Sequence, residues 1–120
     1  MDSSKQTLGR SGEQIAALFF EEKGYTVVER NWRCKAGELD LVLRKGGEWR
    51  FVEVKTRSSD RFGRPEESVT PRKKGHFHQA IEWYVMDRNI APKDIHADVL
   101  AITMNERKFD VRWLPDALIG

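Results

Sequence analysis

GELDLVLRKGGEWRFVEVK, residues 37–55, decides how this chain folds. Two apolar runs flank Lys45-Gly46-Gly47, and each run carries charge at alternate positions. Side chains on a strand point alternately to opposite faces, so residues two apart share a side. Leu39, Leu41 and Leu43 therefore fall on one face of the first strand, with Glu38, Asp40 and Val42 on the other. On the second strand Val52 and Val54 point away from Phe51, Glu53 and Lys55. Glycine tolerates the positive φ of the primed turns that close two-residue hairpins, so Gly46-Gly47 is the natural turn. Pairing outward sets Lys45 against Glu48, Leu43 against Arg50 and Leu41 against Val52. Beyond them it sets Asp40 against Glu53 and Glu38 against Lys55. The apolar faces coincide in this register, and a slip of one residue would mix them.

Like charges directly opposite on neighbouring strands repel. The expected Asp40–Glu53 pair therefore asks for a cation. Mg²⁺ suits it, because that ion prefers oxygen ligands, takes one or two carboxylates and keeps several waters. Lys55 would sit at the edge of the same cluster. Converging carboxylates beside an ammonium suit metal-assisted phosphodiester hydrolysis: the ion polarises the phosphate and the lysine steadies developing negative charge. A solvated hairpin face with a Glu38–Lys55 ion pair accounts for the same spacing, and spacing alone leaves both readings open.

The remaining chain bounds the setting. At 120 residues it forms one domain, and 39% hydrophobic with 33% charged residues fits a globular protein. Residues 1–8 read as a flexible tail and 9–120 as the single domain. No run approaches the ~18 apolar residues of a membrane span, so a cytoplasmic location is expected. Apolar positions from Ser11 to Lys23 (Ile15, Ala16, Leu18, Phe19, Phe20) predict a helix stopped by Gly24, followed by a strand in YTVVERNW. Thr70-Pro71 starts a second helix reaching about Arg88, with Phe77, Ala80, Ile81, Tyr84 and Val85 on its buried face. IHADVLAIT and KFDVRWL read as two more strands. Helix, three strands, helix, two strands gives an α/β domain: a mixed central sheet flanked by helices.

Leu39-Asp40 followed by Glu53-Val54-Lys55 resembles the PD-(D/E)XK nuclease signature, with leucine in place of its frequent proline. The blocks GRSGEQIAALFFEEKGYTVVERNWR, GELDLVL, FVEVKTRSSDRFGRPEESVTPRKK and ADVLAI, in that order, look like the YraN family of predicted bacterial endonucleases. That resemblance covers about Gly9 to Leu118. It implies a restriction-endonuclease-like fold related to archaeal Holliday-junction resolvases. It also implies a nuclease acting on branched or structured DNA. Asp40, Glu53 and the Val54 backbone carbonyl would ligate Mg²⁺ or Mn²⁺, Lys55 would be the catalytic lysine, and Glu13 of the GE pair would be a further ligand candidate. For Glu13 compensation of the helix dipole is an equal reading. Related resolvases act as dimers, which implies a homodimer here.

Net charge is only +2, so clustering carries more information than the total. Between Lys55 and Lys74 the bases Arg57, Arg61, Arg64, Arg72, Lys73 and Lys74 outnumber the acids, and a phosphate-backbone track is expected there. His76, His78 and His96 do not indicate a histidine metal site, since positions two apart on a helix diverge. The four tryptophans read as core or partly buried packing, with base stacking as the alternative, Asp98 as a structural partner, and Cys34 as an ordinary free thiol. The rival to an enzyme is a non-catalytic DNA-binding or adaptor module of the same fold. A protein scaffold using the aromatic residues stands third.

Overall fold

The computed structural model describes residues 4–58, 70–91, 93–105 and 108–119, with side chains from Ser11 onward. The elements are α1 (Ser4–Glu22), β1 (Thr26–Cys34), β2 (Gly37–Lys45), β3 (Glu48–Arg57), α2 (Pro71–Asp87), β4 (Asp94–Asn105) and β5 (Lys108–Leu114). All five strands form one sheet in chain order. Neighbours are antiparallel except β3 and β4, which run parallel. Parallel neighbours need a crossover, and the connection through α2 supplies it. The result is the mixed α/β sheet with helices that the sequence predicts, compatible with a restriction-endonuclease-like fold. Among the described residues no helix is long and apolar enough to cross a membrane.

Helix α1 begins at Ser4, so Ser4–Leu8 of the expected tail is helical; Lys5, Gln6 and Leu8 are good helix formers that nothing interrupts. Its buried positions are Gly12, Ala16, Ala17 and Phe20, whereas Leu18 from the predicted stripe is 65% exposed. Small residues let the helix sit close to the sheet: a Cβ on Gly12 would come 2.2 Å from Thr56 Oγ1. Gly24, at φ +91°, closes the helix as expected. At α2 the Thr70 hydroxyl accepts the Lys73 N–H, Pro71 takes the first turn, and Phe77, Ala80, Ile81 and Tyr84 are buried.

Both faces of the sheet are covered. Under α2 lie Val42, Trp49, Phe51, Ala97 and Val99. Under α1 lie Leu41, Leu43, Val52, Leu100 and Ile102, with Phe20 and Tyr25. A strand buried on both faces reads as a nearly continuous apolar run, which is why Ala97 to Ile102 shows no clean alternation.

The hairpin keeps its predicted register from Lys45–Glu48 to Leu41–Val52, and there the ladder ends. Asp40–Glu53 and Glu38–Lys55 are therefore not ladder pairs. Asp40 itself is the reason: its Oδ2 accepts the Val54 N–H at 2.8 Å, a side-chain oxygen in place of a main-chain one. Leu39 also departs from the expected face and joins the cluster under α2. It lies opposite Trp32, whose ring packs edge-on against Tyr84 of α2 with centroids 5.2 Å apart.

Candidate active site

Where β2 and β3 part, a cleft of about 320 Å³ opens beneath the first turns of α2. Gly37, Glu38 and Asp40 line it from β2, Glu53 from β3, and Lys73, His76 and Phe77 from the helix. One wall is acidic and the other basic. Asp40 and Glu53 thus meet as side chains across the opening, although their backbones are not paired.

Asp40 has a poor electrostatic position. Burial pushes its carboxyl up to about 8; the Val54 N–H bond pulls the other way, but a hydrogen bond that Asp40 donates to Glu38 and the charges of Glu38 and Glu53 add to the rise. Burial, and after it the two neighbouring acids, disfavour the charged carboxylate, and a bound cation would offset both. The acidic wall offers carboxylate oxygens, few in number, a donor set that fits Mg²⁺ or Mn²⁺.

Lys55 Nζ lies 2.9 Å from Glu53 Oε1, and both side chains are mostly buried. The lysine is therefore part of the cluster, with Glu53 as its partner. Glu38 pairs with Arg33 at 3.3 Å, in place of the Glu38–Lys55 pair that the register implied. The ladder ends before that register reaches Lys55, while β1 still runs beside Glu38 and offers Arg33 directly opposite.

Glu13, on α1, accepts a hydrogen bond from Asn31 Nδ2 at 2.9 Å. Asn31 has φ +52° and sits between Arg30 and Trp32, whose partners Leu41 and Leu39 flank Asp40. Glu13 is thus brought to the strand beside Asp40, with Asn31 as its partner. Gly12, next to it, makes the close contact with Thr56, the residue after Lys55. Helix α1 and the end of β3 are locked together at that point.

Of the expected phosphate track, Lys73 lines the cleft. Arg72 shares its helical turn and is exposed, Lys74 is half-buried, and Arg57 is exposed at the end of β3. Arg61 and Arg64 lie outside the described residues. His76 joins the cleft without having been marked by the sequence reading. The signal was present: positions 73, 76 and 77 fall on one face of a helix.

A second polar group lies at the other end of β3. Asp98 is fully buried and accepts from Arg50 Nη1 at 2.9 and 3.2 Å, Trp113 Nε1 at 2.9 Å and the Asp116 N–H at 2.8 Å. Burial alone would lower the Arg50 pKa, but hydrogen bonds to Tyr25, Glu48 and Asp98 raise it. This network is structural, as expected for Asp98.

The profile of a family described as "Uncharacterised protein family UPF0102" matches residues 12–111. A UPF0102 protein from a Nocardioides species is 46% identical over 86% of this chain and 83% of its own length. One from Syntrophomonas wolfei is 43% identical over 92% and 96%. A third, from Clostridium perfringens, is 35% identical over 98% of both chains. The chain belongs to the UPF0102 family.

Proposed function

From that membership and the cleft geometry, we propose that the chain is a metal-dependent endodeoxyribonuclease acting on branched or otherwise non-B-form DNA. The observation that carries the reading is the meeting of Glu38, Asp40 and Glu53 in one cleft, with Lys55 bonded to Glu53. Asp40, Glu53 and the Val54 carbonyl would hold Mg²⁺ or Mn²⁺, which supplies Lewis acidity and an activated water when bound. Glu13 is the further ligand candidate.

The chain's own groups have separable tasks. Asp40 must give up its proton, so its carboxyl sets the lower pH limit of ion binding. The Val54 N–H fixes one Asp40 oxygen, and an ion would replace the proton that Asp40 shares with Glu38. Lys55 is held by Glu53 at a position from which its ammonium stabilises charge growing on a phosphate. Lys73 and His76, on the opposite wall, take the neighbouring backbone phosphates, and Arg57, Arg72 and Lys74 extend the positive surface. Cutting a four-way junction requires two incisions, so a second copy of the chain is expected to act with the first.

The test is incubation of labelled four-way junction, flap and duplex DNA with the protein and Mg²⁺ or Mn²⁺. Metal-dependent cleavage of the branched substrates is expected, reduced about a hundredfold or more in Glu53→Ala and Lys55→Ala. No cleavage of any substrate, or equal cleavage by Glu53→Ala, contradicts the reading. Salt-sensitive DNA binding without cleavage would assign the chain to the non-catalytic module instead.

A further inference from the structure

The start of β4 lies beside the start of β3, and their parallel register sets Glu48 against Asp94 and Arg50 against His96. Asp94 and His96 are two apart on one strand and share a face. Glu48, Asp94 and His96 each offer one ligand atom, and these atoms all lie within 4.8 Å of one another. The imidazole is already oriented. Its Nε2 is 2.7 Å from Asp94 Oδ1, and its Nδ1 is 2.7 Å from Asp116 Oδ1.

We propose that Glu48, Asp94 and His96 form a second cation site, for a divalent transition metal such as Zn²⁺, with Asp116 as the positioning residue behind the imidazole. The orientation of the ligands points to a metal more than their number does. Metal-ligating histidines characteristically donate their other ring N–H to a carboxylate; His96 holds Asp116 on Nδ1, and on Nε2 the ion would replace the proton now shared with Asp94. Ligating carboxylates are themselves held by outer hydrogen bonds. Glu48 meets that condition, receiving Arg50 Nε at 2.6 Å and the Tyr25 hydroxyl.

The chemistry selects the ion. Imidazole nitrogen with two carboxylates favours Zn²⁺ or a similar transition metal over Mg²⁺, so this site and the carboxylate wall of the cleft differ in preference. Zinc bonds of about 2.1 Å place tetrahedral ligand atoms roughly 3.4 Å apart. Small side-chain rotations reach that from the observed cluster, because the Asp94 side chain is 56% exposed and free to turn. Three protein ligands leave one position for water.

The position gives the site a role. The Asp116 N–H is bonded to Asp98, and two residues later Leu118 is fully buried in the cluster under α2. An ion held here therefore ties the starts of β3 and β4 to the C-terminal turn. It acts as a clamp on the fold. The inference does not depend on the nuclease reading.

The test uses the full chain carrying Asp40→Asn and Glu53→Gln, so that the cleft contributes no ion binding. Zn²⁺ titration by calorimetry at pH 7.5, with thermal melting in parallel, should show one ion per chain and a raised Tm. The same range of Mg²⁺ should give no shift. Affinity should fall more than tenfold in Asp94→Asn and His96→Ala, and about tenfold in Asp116→Asn. Should His96→Ala fail to fold, the near-isosteric Asp94→Asn at an exposed position decides the matter. No Zn²⁺ uptake by the parent, or uptake unchanged in Asp94→Asn, overturns the proposal.

Discussion

Asp40 and Asp98 are two carboxyl groups sunk into the same sheet, and they are treated in opposite ways. Asp98 is the more buried, yet it has Arg50, the Trp113 indole and the Asp116 amide pointing at it. Among the described residues Asp40 has one donor, the Val54 N–H, and two acids as neighbours. Burying a charge is tolerable when donors are supplied with it and costly when they are not. The fold completes the first group internally, and under the proposed function a cation would complete the second. That imbalance is the physical ground for the proposed function.

The largest effect that separates the two should come from removing Asp98. Asp98→Ala leaves the Arg50 guanidinium buried without its main partner and should cost about 3–5 kcal/mol of stability, measured by denaturant unfolding. Asp40→Asn should do the reverse in chelator at pH 8, leaving stability unchanged or raised while metal binding is lost. Equal losses for the two variants would break the distinction.

Gly12→Ala tests how α1 supports the cleft. The added methyl meets Thr56 Oγ1, so the helix must move away from β3 beside Lys55. A loss of about 1–3 kcal/mol is expected, with a fall in cleavage larger than the stability change alone would produce. Unchanged stability would mean that the contact relaxes without strain.

A pH series sharpens the comparison further. The Asp40 carboxyl is raised from 3.8 to about 8, so between those values the folded state binds a proton that the unfolded state has released. Its contribution to stability is full below about pH 4 and is lost as pH rises toward 8. In chelator the Tm should therefore fall across this window by at least a few degrees, and Asp40→Asn should flatten the decline. Cleavage with Mg²⁺ should rise over the same window as the carboxyl becomes free to bind the ion. A Tm independent of pH, or the same slope in Asp40→Asn, would count against the assignment.

The smallest effect is expected at the basic wall. Lys73→Ala should weaken DNA binding a few-fold for every substrate and reduce the salt slope by about one. His76→Ala should act in the same direction. A change confined to one DNA structure would make these residues readers of shape instead of phosphate contacts.

Much of this contrast was legible in the sequence, because it follows from local rules. The Gly46-Gly47 turn fixed the hairpin register as far as Leu41–Val52, and Thr70-Pro71 with the spacing of Phe77, Ala80, Ile81 and Tyr84 placed α2. What local rules miss is where one interaction replaces another. Alternation cannot foresee that the Asp40 side chain takes over a ladder bond, ending the pairing before it reaches Lys55. Nor can it give Glu38 its partner on β1, or turn Leu39 toward α2, since both depend on elements distant in sequence. Spacing among the histidines says nothing of His96, whose partners are carboxylates from β4 itself and the C-terminal turn.

The central claim is that the Asp40–Glu53 cleft is built around a divalent ion. Calorimetric titration of the metal-free protein with millimolar Mg²⁺ at pH 8, beside Asp40→Asn and Asp98→Asn, tests it most directly. The account predicts saturable binding by the parent chain, loss of that binding in Asp40→Asn, and its retention in whatever fraction of Asp98→Asn remains folded. No binding by the parent, or equal binding by Asp40→Asn, would contradict it.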